Sequence, residues 1–95
     1  AATKHFVEGF TRSVALELAP KGVRVCAIGP TAIETPMTQE RLNDPVYGPD
    51  LLSRIPMGRF GRVEDVVGAV VFLASPAAAL ITGTTIMIDG GWTAQ

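Results

Sequence analysis

The groups with the most chemistry to offer in this sequence lie in Pro30-Thr31-Ala32-Ile33-Glu34-Thr35-Pro36-Met37. Hydroxyls and free backbone N–H groups can bind a polar ligand by hydrogen bonds. The run Val23 to Ile28 ahead of them is apolar apart from Arg24. Such a run suits a strand buried on both faces, as in a parallel α/β sheet. Gly29-Pro30 ends it, because Pro30 has no N–H for a ladder. In open α/β sheets, ligands bind past the carboxyl ends of strands. The other reactive groups stand alone. By residue type and place, Lys4 reads as a solvated lysine near a helix start. His5, the sole histidine, has no Asp or Ser at a useful spacing and suits a surface or an interface. No cluster has metal-ligand spacing, so no metal site is expected.

Several elements must hold that stretch in place. Phe6, Val7, Phe10, Val14 and Leu18 recur every three or four residues, which predicts a helix over 1–20. Glu8 and Arg12 can pair on its outer face. Gly9, inside it, is either a close-approach point or a tolerated cost. Pro20-Lys21-Gly22 stops the helix, and the strand is expected over 22–29. Five of the seven prolines, Pro30, Pro36, Pro45, Pro49 and Pro56, lie between Pro30 and Gly61. A connection of this length is a lid, a binding loop or disordered. Thr38 to Leu42 and Asp50 to Arg54 can each make a turn or two of helix. Met37, Leu42, Tyr47, Leu51, Leu52, Ile55 and Met57 give the loop apolar material. It either closes over a ligand as a lid or simply docks on its own domain.

Helical segments follow over 62–82. Glu64 and Asp65 sit in a first turn, where carboxylates favour the positive end of the helix dipole. Val66, Val67, Val70, Val71, Phe72 and Leu73 leave little polar face, so this helix is buried on more than one side. Gly83 opens a last strand over 84–88, Asp89-Gly90-Gly91 turns the chain, and Trp92 to Gln95 is expected to be a tail. Strand, helix, strand makes a right-handed βαβ unit with parallel strands.

Composition narrows the functional classes. At 95 residues the chain is one domain at most, 1–95, near the lower limit for burying a useful core. Hydrophobic residues at 47% and charged residues at 18% argue against disorder. A net charge of −1 gives no footprint for nucleic acid. The single Cys26 permits no internal disulfide and reads as an inert buried thiol, and the expected setting is a reducing cytoplasm. No apolar run approaches a membrane span. The helix already runs at Ala1 with no cap ahead of it, which suggests part of a longer chain.

The order of motifs resembles the C-terminal part of the short-chain dehydrogenases/reductases. It runs from Ala1-Ala2-Thr3-Lys4 and Phe10-Thr11-Arg12-Ser13-Val14-Ala15-Leu16-Glu17-Leu18-Ala19 through Gly22-Val23-Arg24-Val25, Pro30 and Glu34-Thr35-Pro36-Met37. Gly58-Arg59-Phe60-Gly61, Glu64-Asp65-Val66, Phe72-Leu73-Ala74-Ser75, Ile81-Thr82-Gly83 and Asp89-Gly90-Gly91 complete it. The resemblance implies the C-terminal part of a Rossmann-type doubly wound parallel α/β sheet: helix, strand, long lid loop, helix, strand. It implies hydride transfer between NAD or NADP and a small-molecule carbonyl or secondary alcohol. Lys4 matches the family's active-site lysine, whose tyrosine partner falls just before Ala1. A lysine one helical turn away lowers that phenol from its ordinary pKa near 10. The backbone of Ile33 is implied to meet the nicotinamide carboxamide, the Thr35 hydroxyl the carboxamide or phosphates, and Pro30 to shape the wall. Thr35 can also be a local turn cap before Pro36. Met37, Leu42, Tyr47 and Leu51 fall in the substrate loop.

The sequence departs from the family at Cys26, where Asn is frequent, and at Thr31, where Gly is frequent. The Gly-rich phosphate loop, the catalytic serine and the residue that selects NAD over NADP are not among these residues. The 95 residues alone are therefore expected to be inactive. Two other functions stay open. One is a non-catalytic fragment that self-assembles, and the other is an unrelated α/β binding module. Homo-oligomerisation through 62–82 and the last strand is expected, with no nucleic-acid or membrane partner. The closing Asp89-Gly90-Gly91-Trp92-Thr93-Ala94 resembles family members acting on sugars or polyols.

Overall fold

The computed structural model describes residues 2–95, which divide into two compact units: 2–29 with 69–86, and 30–68 with 87–95. The first unit begins with α1, Ala2–Leu18, continued by a 3-10 turn at Ala19–Lys21 that carries Pro20. Thr11 and Ala15 form its buried line, and Thr11 satisfies its hydroxyl by donating to the Val7 carbonyl at 2.7 Å. The Phe6 and Phe10 rings stack at 5.9 Å on an exposed side of the helix. The apolar periodicity therefore marks a face that the described residues do not cover.

β1, Ala27–Pro30, pairs with β4, Thr85–Ile88. Gly83 N–H donates to the Val25 carbonyl and Ala27 N–H to the Thr84 carbonyl, so residue numbers rise together along a parallel pair. The strand starts at Ala27 rather than at Gly22, and Pro30 closes it rather than following it. The late start has a local cause. Val25 N–H is taken by the Thr82 hydroxyl at 3.0 Å instead of a ladder carbonyl. Arg24, the polar interruption of the apolar run, donates to the carbonyls of Leu73 at 2.7 Å and Ile81 at 3.3 Å. Leu73 lies in the last turn of α4, Val63–Ala74, so the guanidinium caps carbonyls that have no partner within the helix. A 3-10 turn at Pro76–Ala78 follows, with Ala78 fully buried. No α4 side chain is buried among the described residues, and Val67, Val70, Val71 and Phe72 are all exposed.

In the second unit, β2, Ile33–Glu34, pairs in parallel with β3, Gly61–Arg62. Ile33 faces Gly61, Glu34 faces Arg62, and Gly61 N–H reaches the Ala32 carbonyl at 2.8 Å. The long connection leaves and returns at one short ladder. It is not irregular between these points. α2 occupies Gln39–Leu42 and α3 occupies Tyr47–Ser53. The second helix starts three residues earlier than Asp50, because Asp44 Oδ1 accepts from the N–H groups of Val46 at 2.9 Å and Tyr47 at 2.8 Å. Those bonds hold the Asp44 carboxyl below its ordinary pKa. Asp65 does the same for α4, accepting from Arg62 N–H at 2.8 Å beside the Arg59 guanidinium.

The segment after β4 is a knot of hydrogen bonds rather than a tail. Asp89 is buried, and its carboxylate accepts from Gly91 N–H, Thr93 N–H and the Thr93 hydroxyl at 2.7 Å. A 3-10 turn at Trp92–Ala94 results. The Thr93 hydroxyl, more than the backbone donors, holds the Asp89 carboxyl below the usual carboxylate range. The sign follows from linkage. A lowered folded pKa means that this contribution is complete above the unfolded value of about 3.9 and is lost as pH falls through the folded one. Asp89→Ala in the full-length protein is expected to lose about 1.5–3 kcal/mol near neutrality, the range for hydrogen bonds to a charged group. Urea melts between neutrality and acid should show the gap to wild type closing as pH falls. A gap that stays constant with pH sinks this account.

Candidate functional site

The β2 end of the loop and the two loop helices enclose a cavity of about 240 Å3. Thr31, Ala32, Ile33 and Thr35 supply one wall, and Thr38, Arg41, Leu42, Tyr47 and Leu51 supply the rest. Five residues singled out from the sequence, Ile33, Thr35, Leu42, Tyr47 and Leu51, thus meet around one space. Met37 does not join them, being 90% exposed. Pro30 is exposed at the end of β1, and Lys4 is exposed on α1 in the first unit. Thr31 also lines a second space of about 390 Å3, with Met57, Arg59, Gly61, Asp65 and the 87–91 segment.

Local chemistry explains why the wall holds its shape. The Thr38 hydroxyl donates to the Ile33 carbonyl at 2.6 Å and accepts from Thr35 N–H at 2.9 Å. In return the Thr35 hydroxyl accepts from Thr38 N–H at 3.2 Å, and the two hydroxyl oxygens lie 3.2 Å apart. The Thr35 carbonyl takes the N–H groups of Thr38 and Gln39. Thr35 therefore caps the turn into α2. A hydroxyl has one hydrogen and two lone pairs. With the Thr38 hydrogen committed to Ile33, the Thr35 hydrogen can turn to Thr38 or to a ligand.

The opposite wall is set by close approach. A side-chain carbon on Gly48 would collide with the backbone carbonyl of Leu42, so α3 can seat against α2 only through a glycine. Arg41 and Tyr47 close that side. Arg41 Nη2 donates to the Tyr47 hydroxyl at 3.1 Å, and its guanidinium carbon stands 5.1 Å from the ring centroid. The sequence reading passed over Thr38 and Arg41. The Thr35-x-x-Thr38 spacing is a signal that could have pointed to reciprocal capping. No spacing rule joins Arg41 to Tyr47 across the turn between the helices.

Ile33 offers an apolar face, while Thr31 and Thr35 offer hydroxyls. Among the described residues no group of His, Cys, Asp or Glu is placed to hold a metal ion, and no helix is long and apolar enough to cross a membrane.

A family model described as enoyl-(acyl carrier protein) reductase matches residues 1–93. L-xylulose reductase of Bos taurus is 42% identical over 93 residues, covering 98% of this chain and 38% of that protein. The 2-dehydro-3-deoxy-D-gluconate 5-dehydrogenase of Bacillus subtilis is 44% identical over 91 residues, covering 96% of this chain and 36% of that protein. A crystal structure with bound NADP, provisionally assigned as a 2-deoxy-D-gluconate 3-dehydrogenase from Agrobacterium tumefaciens, is 46% identical. It superposes with a TM-score of 0.93 over 99% of this chain and 38% of that one. A 4-hydroxyisoleucine dehydrogenase complexed with NADH is 34% identical with a TM-score of 0.93, over 99% of this chain and 39% of that one. The chain spans about 38% of the length of the first of these relatives. Matched along nearly its whole length in both sequence and fold, it belongs to the short-chain dehydrogenase/reductase family.

Proposed function

We propose that this chain serves as the C-terminal part of an NAD(P)-dependent oxidoreductase that interconverts a small carbonyl compound and a secondary alcohol. The observation that carries the reading is the cavity around which Ile33, Thr35, Leu42, Tyr47 and Leu51 meet. The relatives with bound NADP and NADH support a nicotinamide cofactor, in either form. The dinucleotide, when bound, supplies or accepts the hydride.

The chain's own residues hold, orient and exclude. The Ile33 backbone holds the carboxamide, the Thr35 hydroxyl adds a second polar contact, and Pro30 stiffens the wall beside the ring. The Lys4 ammonium binds ribose hydroxyls and favours the ionised form of the phenol that the family sets one turn ahead of it. Met37, Leu42, Tyr47 and Leu51 form the substrate side and shut out water as the loop closes. The 95 residues alone carry neither that phenol nor a phosphate loop and should not turn over substrate.

The exposed valines of α4 support assembly of copies through 62–82 and the last strand, and the lone free Cys26 suits a cytoplasmic setting. The test is a fluorescence titration of the purified full-length protein with NADH and NADPH, followed by carbonyl reduction assays on the same sample. At least one dinucleotide is expected to bind and to be oxidised with a carbonyl substrate. Binding of neither removes the oxidoreductase reading and leaves the self-assembling fragment. Sedimentation of the sample as a monomer removes the assembly.

A further inference from the structure

We propose that the substrate carries a carboxylate, which Arg41 receives at the wall of the 240 Å3 cavity, making it a polyhydroxy acid rather than a neutral sugar or polyol. The inference rests on the oxidoreductase reading of that cavity. Arg41 is its only charged lining residue. The guanidinium is fixed from two directions, by its hydrogen bond to the Tyr47 hydroxyl and by its position over the Tyr47 ring. One of its five N–H donors is used there, and the rest stay available.

Nothing on its own loop neutralises it. Among the described residues the ion pairs are Arg54 with Asp50 and Arg59 with Asp65. Asp44, three residues after Arg41, turns Oδ1 to the backbone of Val46 and Tyr47 instead. Glu40 is adjacent in the helix and so points to another side of it. An oriented guanidinium without a carboxylate partner is a planar fork that matches a carboxylate by two parallel hydrogen bonds. Thr31 brings a hydroxyl that suits the hydroxyls of such an acid, and Leu42 and Leu51 exclude water behind it.

The test uses full-length enzyme with matched probes: D-gluconate and D-galactonate against D-glucitol and galactitol, with the dinucleotide it binds. The acids are expected to be oxidised with kcat/KM about tenfold or more above the alditols. Arg41→Met should reduce the acid-to-alditol ratio about 30-fold, mainly through KM for the acid, as loss of a charge-assisted contact does. Arg41→Lys should recover part of that ratio, and melting temperatures should stay level, because Arg41 is exposed. Alditols preferred by the wild type, or an Arg41→Met variant that lowers both substrates equally, overturns the inference. So does enzyme that binds dinucleotide and reduces other carbonyls but oxidises neither acid. Failure to bind NADH and NADPH at all is the separate result that removes the oxidoreductase reading itself.

Discussion

Lys4→Met in the full-length enzyme should lower kcat/KM by at least about a hundredfold, the scale of general acid–base catalysis. In the proposed role, the ammonium favours the charged form of the phenol that the family sets one helical turn away. Removing it raises that phenol's pKa, so the surviving activity should shift its rising limb to higher pH. The same change takes a donor from the ribose hydroxyls, so the dissociation constant for NADH or NADPH should rise as well. Lys4 is exposed on α1 among the described residues. Melting temperature is therefore the control and should hold. Steady-state kinetics across pH check the expectation. A loss below about threefold, with an unmoved pH limb, would return Lys4 to the ordinary solvated lysine that its residue type alone suggests.

Gly90→Ala should be strongly destabilising. Gly90 has φ +62°, a region that costs an L side chain about 1–2 kcal/mol. Its added carbon would also stand 2.6 Å from Ile55 Cγ2, and Ile55 is buried. Overpacking of that kind adds about 1–3 kcal/mol. Met57 N–H bonds the Gly90 carbonyl at 3.0 Å, so the strain passes into the end of the substrate loop. The sum is about 2–5 kcal/mol, or roughly 5–15 °C in melting temperature for a domain of some 250 residues. Thermal melts of the two proteins decide it. A shift under about 1 °C would mean that Ile55 gives way without cost and that the 55–57 segment does not rest on this turn.

The order helix, strand, long loop, helix, strand was legible because each element carries a strong local signal. Apolar recurrence marks α1 and α4, and an apolar run interrupted only by Arg24 marks the strand region. Pro20, Gly22 and the proline cluster mark the interruptions. What failed to show depends on contacts rather than on period. Two-residue strands such as Ile33–Glu34 and Gly61–Arg62 have no periodicity to read. The start of α3 depends on which backbone groups Asp44 caps, and the start of β1 on a hydroxyl supplied from Thr82. The periodicity of α1 names its apolar face correctly but cannot say whether anything covers it. At the cavity, Leu42, Tyr47 and Leu51 were legible as apolar residues of a loop with something to close over. Ile33 and Thr35 came from the family resemblance. Thr38 and Arg41 stayed hidden because their roles arise only when the turn and the two short helices are folded.

The parallel contact of Ile33 with Gly61 makes everything between them a detour whose two ends are already side by side. For such a detour, length is thermodynamically cheap, since each doubling adds only about 0.6 kcal/mol of closure entropy. The ladder itself is backbone, so inside the interval the demands concentrate on a few positions, Thr35, Thr38, Gly48 and Ile55. Residues 35–60 therefore have the properties of an exchangeable cassette. Selection can lengthen, shorten or rewrite that interval while the ladder between Ile33 and Gly61 stays where it is. Grafting the interval from a relative with another substrate onto this chain is then a route to altered specificity that leaves the rest of the protein intact.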